Sequence, residues 1–128
     1  MADEFDAHNY KKREKIINDH PNLYPNCLYF ECYDGWLDII SDLSDKLEEE
    51  IVQFKANCPN LEEGYPHAVQ VKEKYGRLQF YLSYLPTNEM HDIIEEFCAK
   101  TAKICEICGQ NGQLRHDSWV KVRCDEHY

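Results

Sequence analysis

Four residues near the end of the chain have the types and spacing of metal ligands. Cys105 and Cys108 form a Cys-x-x-Cys pair, and Cys124 and His127 form a Cys-x-x-His pair after fifteen intervening residues. Two such pairs on either side of a hairpin-sized insert are typical of a tetrahedral structural zinc site. Because four protein ligands leave no open position for water or substrate, the sequence predicts one zinc ion that stabilises folding and does not catalyse.

The segment around these ligands has the pattern of a zinc ribbon. Gly109 follows the second cysteine, where a metal knuckle favours a residue without a Cβ atom. Residues 114–116 and 119–123 are predicted to pair as a hairpin that returns Cys124 to the metal. His116 is a rival ligand, but we prefer His127 because its spacing from Cys124 matches that of the first pair.

Length and composition favour one small α+β domain with a C-terminal segment held by the metal. The chain has 128 residues and 43% hydrophobic content, which suits a single core. We expect an acidic body over residues 1–104, built from helices packed on a β-hairpin, with the zinc ribbon over residues 105–128 docked on it. Neither a signal peptide nor a membrane-spanning apolar run is recognisable in the sequence.

Cysteine usage favours a reducing compartment. Three of the seven cysteines fall into the metal pattern, and an odd total does not suit a full disulfide framework. We therefore expect a cytoplasmic protein. The cysteines outside the pattern are interpreted as buried or incidental thiols: Cys27, Cys32, Cys58 and Cys98.

Apolar periodicity predicts three helices. The first covers residues 5–18 and should end at His20-Pro21, because the residue before proline avoids helical geometry. The clearest begins at Asp34 or Gly35 and has an apolar stripe at helical spacing: Trp36, Ile40, Leu43, Leu47, Ile51 and Phe54. The third follows Thr87 or Asn88, either of which can cap its first turn, and it runs directly into Cys105.

Between the second and third helices the sequence alternates as a β-hairpin does. Val69 and Val71 alternate with polar residues, as do Leu78, Phe80 and Leu82, and the turn lies near Tyr75-Gly76. A short apolar strand or turn is also expected at residues 28–30. One face of the hairpin should cover the Trp36 helix.

The charge of the chain is concentrated in the body. Residues 1–98 have 9 basic and 20 acidic side chains, whereas residues 99–128 have 5 and 4, within a net charge of -10. So acidic a body disfavours simple nucleic-acid binding. One face of the Trp36 helix has an acidic row that is either a solvated surface or a ladder for a basic partner: Asp34, Asp38, Asp42, Asp45 and Glu49.

The ribbon contains basic side chains around an aromatic one, a combination that can bind single-stranded nucleic acid. The residues are Arg115, Trp119, Lys121 and Arg123. We favour the alternative that Trp119 packs on the helix ending at Ile104 while the basic groups pair with the acidic body.

Catalytic motifs are not recognisable in the sequence. There is no glycine-rich phosphate loop, nucleophile elbow or zinc-protease motif. His67 and His91 each have nearby acids but no further catalytic partner, so we do not expect an enzyme. A weaker possibility is a small-ligand or nucleotide site between the hairpin and the helices, which would use Lys72, Lys74 and Arg77.

Three stretches together resemble a group of small proteins of bacteria and their phages. They are residues 31–48 (ECYDGWLDIISDLSDKLE), 69–84 (VQVKEKYGRLQFYLSY) and 105–127 (CEICGQNGQLRHDSWVKVRCDEH). The group combines a Gly-Trp helix, a VKEKYG-type hairpin and a Cys3His tail. The resemblance implies the same architecture and a bacterial or phage setting, and it implies no activity.

These observations lead to a first functional hypothesis. We expect a non-enzymatic interaction protein whose acidic surface binds a basic host protein and modulates or inhibits it. The host protein would act in defence or nucleic-acid handling, and the chain itself would be phage-encoded. The contact set would be Asp38, Asp42, Asp45 and Glu49. A nucleic-acid-binding ribbon and a small-ligand binder are the alternatives.

Overall fold

The computed structural model describes residues 9–26, 28–62, 64–116 and 119–128. Along the chain the elements are helix α1 (Tyr10–Asp19), strand β1 (Phe30–Glu31), helix α2 (Leu37–Asn57), strands β2 (Ala68–Lys74) and β3 (Arg77–Leu82), helix α3 (Asn88–Lys100), and strands β4 (Gln113–Arg115) and β5 (Lys121–Arg123). Single 3-10 turns precede α2 (Asp34–Trp36) and follow α3 (Thr101–Lys103). The predicted α+β class is confirmed.

Helix α1 is described from Tyr10, within the segment that the sequence indicated. Its N-cap is Asn9, whose side chain accepts a hydrogen bond from the Lys12 amide, and its C-cap is His20, next to the predicted proline stop. The part of the predicted helix that includes Phe5 lies outside the described residues.

Helix α2 is the centre of the core. The predicted stripe is buried along nearly its whole length, from Trp36 to Ile51, and only Phe54 at its end is partly exposed. Met90 and Phe97 from α3 complete the apolar interior together with Val71, Leu78 and Phe80 from the sheet. The 3.6-residue periodicity of the sequence therefore identifies the buried face.

The first sheet has the order β1-β2-β3. Strands β2 and β3 form the predicted antiparallel hairpin, whereas β1 pairs with β2 in parallel through Phe30 opposite Val71. The β2–β3 register shifts between Ala68 and Gln70, and this irregularity leaves Val69 48% exposed. Strict alternation had placed Val69 with Val71, and that prediction is wrong because the shift interrupts the two-residue period.

Strands β4 and β5 form a second antiparallel sheet of two strands, with Leu114 opposite Val122. Val122 is buried in the common core. None of the helices in the described part of the chain combines the length and apolar character needed to cross a bilayer.

Candidate metal centre

The four predicted ligands converge at one end of the molecule. The ligand atoms of Cys105, Cys108, Cys124 and His127 all lie within 4.8 Å of one another. The first two stand in the loop after α3, and the last two stand in the turn after β5. Within the described ranges no other group of three or more Cys, His, Asp or Glu side chains converges in this way.

A hydrogen-bonded backbone turn holds each ligand pair. Gly109 has φ +83° and donates its amide hydrogen bond to the carbonyl oxygen of Cys105 at 2.9 Å, which closes the first turn. The His127 amide donates to the Cys124 carbonyl oxygen at 3.2 Å and closes the second. The glycine predicted for the knuckle is therefore in the left-handed region that an L side chain rarely adopts.

The protein environment favours the thiolate form of Cys105. Burial opposes ionisation, but the backbone amides of Cys124, Cys108 and Ile107 are directed at its sulfur and lower its pKa to about 7. Amide donors around a cysteine sulfur stabilise the negative charge that a metal-bound thiolate carries.

The distances between ligand atoms suit one metal ion. Metal bonds of zinc length in a tetrahedron would separate two sulfurs by about 3.8 Å and a sulfur from a nitrogen by about 3.6 Å. The Sγ atoms of Cys108 and Cys124 are 3.8 Å apart. Nδ1 of His127 lies 3.1 Å from Sγ of Cys124 and 3.9 Å from Sγ of Cys105. The group can therefore hold one ion, with His127 presenting its Nδ1 atom.

The rival histidine is not part of this group. His116 follows β4 and is exposed, and the group of converging ligands does not include it. Of the two candidate histidines, the one with matched spacing from Cys124 is the one that reaches the cysteines.

The metal centre packs directly against the start of α2. Trp36 donates its indole Nε1 hydrogen bond to the Ile104 carbonyl oxygen at 2.9 Å. The Gly35 amide donates to the Glu106 carbonyl oxygen at 2.7 Å, and a Cβ atom on Gly35 would lie 2.2 Å from the carbonyl oxygen of Cys105. Gly35 and Trp36 thus pack directly against the turn that holds Cys105 and Cys108.

Sequence reasoning missed a buried ion pair beneath the knuckle. Arg123 Nη1 donates to Oε1 of Glu106 at 3.1 Å, and both side chains are at least 90% buried. The other carboxylate oxygen of Glu106 accepts a hydrogen bond from the Tyr33 amide at 3.1 Å. Burial raises the pKa of Glu106, against the opposing effects of the Tyr33 amide and Arg123. No local pattern indicates this pair, because Glu106 and Arg123 are seventeen residues apart and the buried Val122 would predict an outward position for Arg123.

The four residues of the predicted nucleic-acid set have different surroundings. Arg123 forms the ion pair with Glu106. Arg115 pairs with Asp125 at 2.9 Å and stacks on Tyr128, with its guanidinium carbon 3.8 Å from the ring centroid. Trp119 is 63% exposed, with Nζ of Lys121 4.7 Å from its ring centroid. The expectation that Trp119 is covered by the helix ending at Ile104 does not fit this exposure, and Arg115 and Arg123 pair with acids of the ribbon instead of the body.

The acidic row on α2 faces helix α1 for part of its length. Asp34 pairs with the buried Arg13 at 3.0 Å, Asp38 pairs with Lys12, and Asp45 lies 2.6 Å from Nε2 of the buried His20. These partners, from α1 and its C-cap His20, were not anticipated, because contacts between helices far apart in sequence leave no local pattern.

Four carboxylates of the row are exposed, and two of them have no partner in the ranges that the structure describes. Asp38, Asp42, Asp45 and Glu49 are all exposed, and among the described residues neither Asp42 nor Glu49 has a side-chain hydrogen bond or ion pair. The row is therefore partly an internal contact and partly a free anionic surface.

The three cations suggested for a small-ligand site do not converge between the hairpin and the helices. Lys72 pairs with Gln79 and Lys74 pairs with Arg77. The neighbouring Val71 and Phe80 pair is buried against the core. Because alternate side chains point to opposite faces of a sheet, Lys72 and Lys74 lie on its outer face. Arg77 also pairs with Glu95 of α3 at 2.7 Å.

The two histidines considered for catalysis have no carboxylate partner among the described residues. Nδ1 of His67 lies 2.9 Å from the Ser83 hydroxyl and 3.2 Å from the Tyr65 carbonyl oxygen. His91 is exposed at the start of α3. Both have ordinary structural surroundings.

No family model matches the chain, and no curated protein or solved structure shows significant similarity to it.

Proposed function

We propose that this chain is a non-enzymatic protein-binding module whose acidic face binds and modulates a basic protein. The observation that supports this proposal is the set of exposed carboxylates on α2: Asp38, Asp42, Asp45 and Glu49. Asp42 and Glu49 are without a side-chain partner in the described part of the chain. Complementary charge on a partner would accelerate association and select against acidic proteins.

We also propose that the metal is a single structural zinc ion. Three thiolates and an imidazole are soft to borderline ligands that suit zinc, and four protein ligands close its coordination sphere. The centre joins α3 to the start of α2, so metal binding would stabilise the surface that the acidic row occupies.

The resemblance to small bacterial and phage proteins suggests the setting. In a bacterial cytoplasm the basic partner would belong to the proteins that handle nucleic acids or defend the cell, and a phage-encoded module of this type would inhibit it. Nucleic-acid-binding proteins have the positive surfaces that such a module requires.

Affinity purification with matched charge variants tests the proposal. The wild-type chain and the Asp42→Asn/Glu49→Gln variant would serve as baits, because these two carboxylates do not hold α1. We expect the wild type to retain a basic protein whose binding decreases with salt, and the variant to retain several-fold less.

The control is a Glu14→Gln/Glu126→Gln variant, which has the same net charge as the test variant but changes exposed residues outside the row. It should retain as much partner as the wild type. Equal retention by all three baits would show that the row does not bind the partner.

A second candidate is binding of single-stranded nucleic acid by the ribbon. It is favoured by one observation, the exposed Trp119 ring with the Lys121 ammonium group above it. Fluorescence anisotropy with a labelled oligonucleotide at low salt tests it. Binding by the wild type that is lost in Trp119→Ala would support this candidate, and no binding at low salt would exclude it.

A further inference from the structure

An apolar groove lies at the far end of α2 from the 3-10 turn where that helix begins. It has a volume of about 330 Å³ and is lined by Phe54, Leu61, Gly64, Pro66, Tyr84 and Leu85. Its lining comes from the last turn of α2, the loop before β2 and the residues after β3. Apart from the tyrosine hydroxyl, the lining side chains are apolar.

The walls of the groove are held by specific contacts. The Tyr65 hydroxyl donates to the Cys58 carbonyl oxygen at 2.5 Å and accepts from the Leu61 amide at 3.2 Å, which fixes the loop. The Tyr65 ring packs edge-on against Phe54, with 5.8 Å between centroids. A cavity with fixed walls requires little ordering when a ligand enters it.

One wall presents unusual exposed apolar groups. Leu85 is 88% exposed and Tyr84 is 55% exposed. Tyr84 also has φ +61°, a left-handed conformation that an aromatic residue adopts at a cost in backbone energy. The ring of Tyr84 lies over Gly64 and beside His67, whose ring centroid is 5.9 Å away. The chain therefore holds two large apolar side chains toward solvent in a strained turn.

The charge around the groove identifies the partner that it suits. The described residues of 56–71 and 78–92, which supply all of the lining except Phe54, contain no lysine or arginine, and their acidic residues Glu62, Glu89 and Asp92 are exposed. Lys55, next to Phe54, is committed to Asn22 and to the Tyr65 ring. A second copy of this chain would bring like charges together, whereas a basic segment would be attracted.

We propose that this groove binds a segment of a protein partner in which leucine-sized side chains are flanked by lysine or arginine. This inference rests on the proposed function, since the acidic face of α2 would attract the same partner that the groove anchors. Buried apolar anchors at the centre of an interface usually contribute most of the binding energy, while surrounding charges set the association rate.

Two labelled peptides test the inference by fluorescence anisotropy. One has two central leucines between runs of lysine, and the other has serine at both central positions. We expect the wild-type chain to bind the leucine peptide about tenfold more tightly, because burial of apolar side chains is lost with serine. Leu85→Ser and Leu61→Ser should each remove most of that preference.

Val52→Ser is the matched control, because Val52 is an apolar residue of α2 that is 47% exposed and does not line the groove. It should keep the preference for leucine. Urea unfolding of each variant establishes that the fold is intact, which is expected because Leu85 is almost fully exposed.

The outcomes separate the groove from the acidic face. If Asp42→Asn/Glu49→Gln binds both peptides as the wild type does while Leu85→Ser loses the preference, the groove is supported and the role of the acidic row is not. Equal binding of the two peptides by the wild type would overturn the groove inference. So would sedimentation showing a wild-type dimer that Leu85→Ser converts to a monomer, since the occupant would then be a second copy.

Discussion

The amide of Gly35 donates a hydrogen bond to the carbonyl oxygen of Glu106 at 2.7 Å, so the start of the central helix is joined to the loop between the first two metal ligands. At this approach a side chain on Gly35 has no room: a Cβ atom would lie 2.4 Å from the Glu106 carbonyl oxygen. The group of candidate metal ligands and the helical core are consequently one packed unit at this point.

Substitution of Gly35 should disrupt the contact between the helical core and the loop of the first two ligands. We expect Gly35→Ala to lower the free energy of unfolding by about 2 kcal/mol or more, because the added methyl group overlaps backbone atoms that cannot rotate away. Lys46→Ala, at an exposed site on the same helix, should change it by less than about 0.5 kcal/mol. Urea unfolding in the presence of zinc measures both, and equal values for the two variants would contradict the close contact.

Removal of a metal ligand should unfold the C-terminal region. Metal analysis of the wild type should find about one zinc ion per chain, and Cys124→Ser should lose the metal and on the order of 3 kcal/mol or more of stability. Cys58→Ser is the control, because Cys58 is an exposed thiol outside the ligand group. A wild-type protein that is fully folded after treatment with a strong chelator would refute the structural role of the metal.

The buried pair beneath the knuckle should be costly to break. Arg123→Met leaves the Glu106 carboxylate buried without its charged partner, and we expect a loss of about 3–5 kcal/mol. In the double variant Arg123→Met/Glu106→Gln most of this loss should be recovered, because no buried charge remains.

Lys15→Met provides a comparison for that pair, since Lys15 and its partner Asp19 are 74% and 51% exposed. It should cost far less than Arg123→Met, because solvent screens an exposed ion pair. Urea unfolding of all four proteins at saturating zinc gives the comparison, and similar costs for Arg123→Met and Lys15→Met would show that burial of the pair is unimportant.

The acidic row should divide into structural and free members. Asp45→Ala removes the carboxylate that lies 2.6 Å from Nε2 of the buried His20, and we expect a loss of about 1–2 kcal/mol together with faster amide exchange in α1. Asp42→Ala should be neutral within about 0.5 kcal/mol. Hydrogen exchange that is identical in the two variants would show that the histidine contact does not hold α1.

Thiol reactivity should follow burial. Burial raises the pKa of Cys98 to about 11 and raises the pKa of Cys32 as well, and the thiolate is the form that reacts with alkylating reagents. In a Cys27→Ser background with zinc bound, iodoacetamide at pH 8 should modify Cys58 first. Peptide mass spectrometry identifies the modified residue, and early modification of Cys32 or Cys98 would mean that the core opens readily.

The sequence by itself determined the elements and the ligand group. A stripe from Trp36 to Ile51 at helical spacing specifies a buried helix face, because burial of apolar surface depends on periodicity that is present in the sequence. The matched spacing of Cys105, Cys108, Cys124 and His127 likewise depends on short turns, which are local. The same locality allowed His127 to be preferred over His116.

Tertiary structure alone decided which surfaces are free. The partners of Asp34, Asp38 and Asp45 come from α1 and its C-cap. Arg123 pairs with Glu106 of the ribbon, and the groove beside Leu85 is assembled from three separate segments. Contacts between residues distant in the chain leave no periodic signal, so charge patterns could not separate a paired carboxylate from a free one. The exposed Trp119 and the shifted strand at Val69 show the same limit, since the fate of each side chain depends on what packs against it.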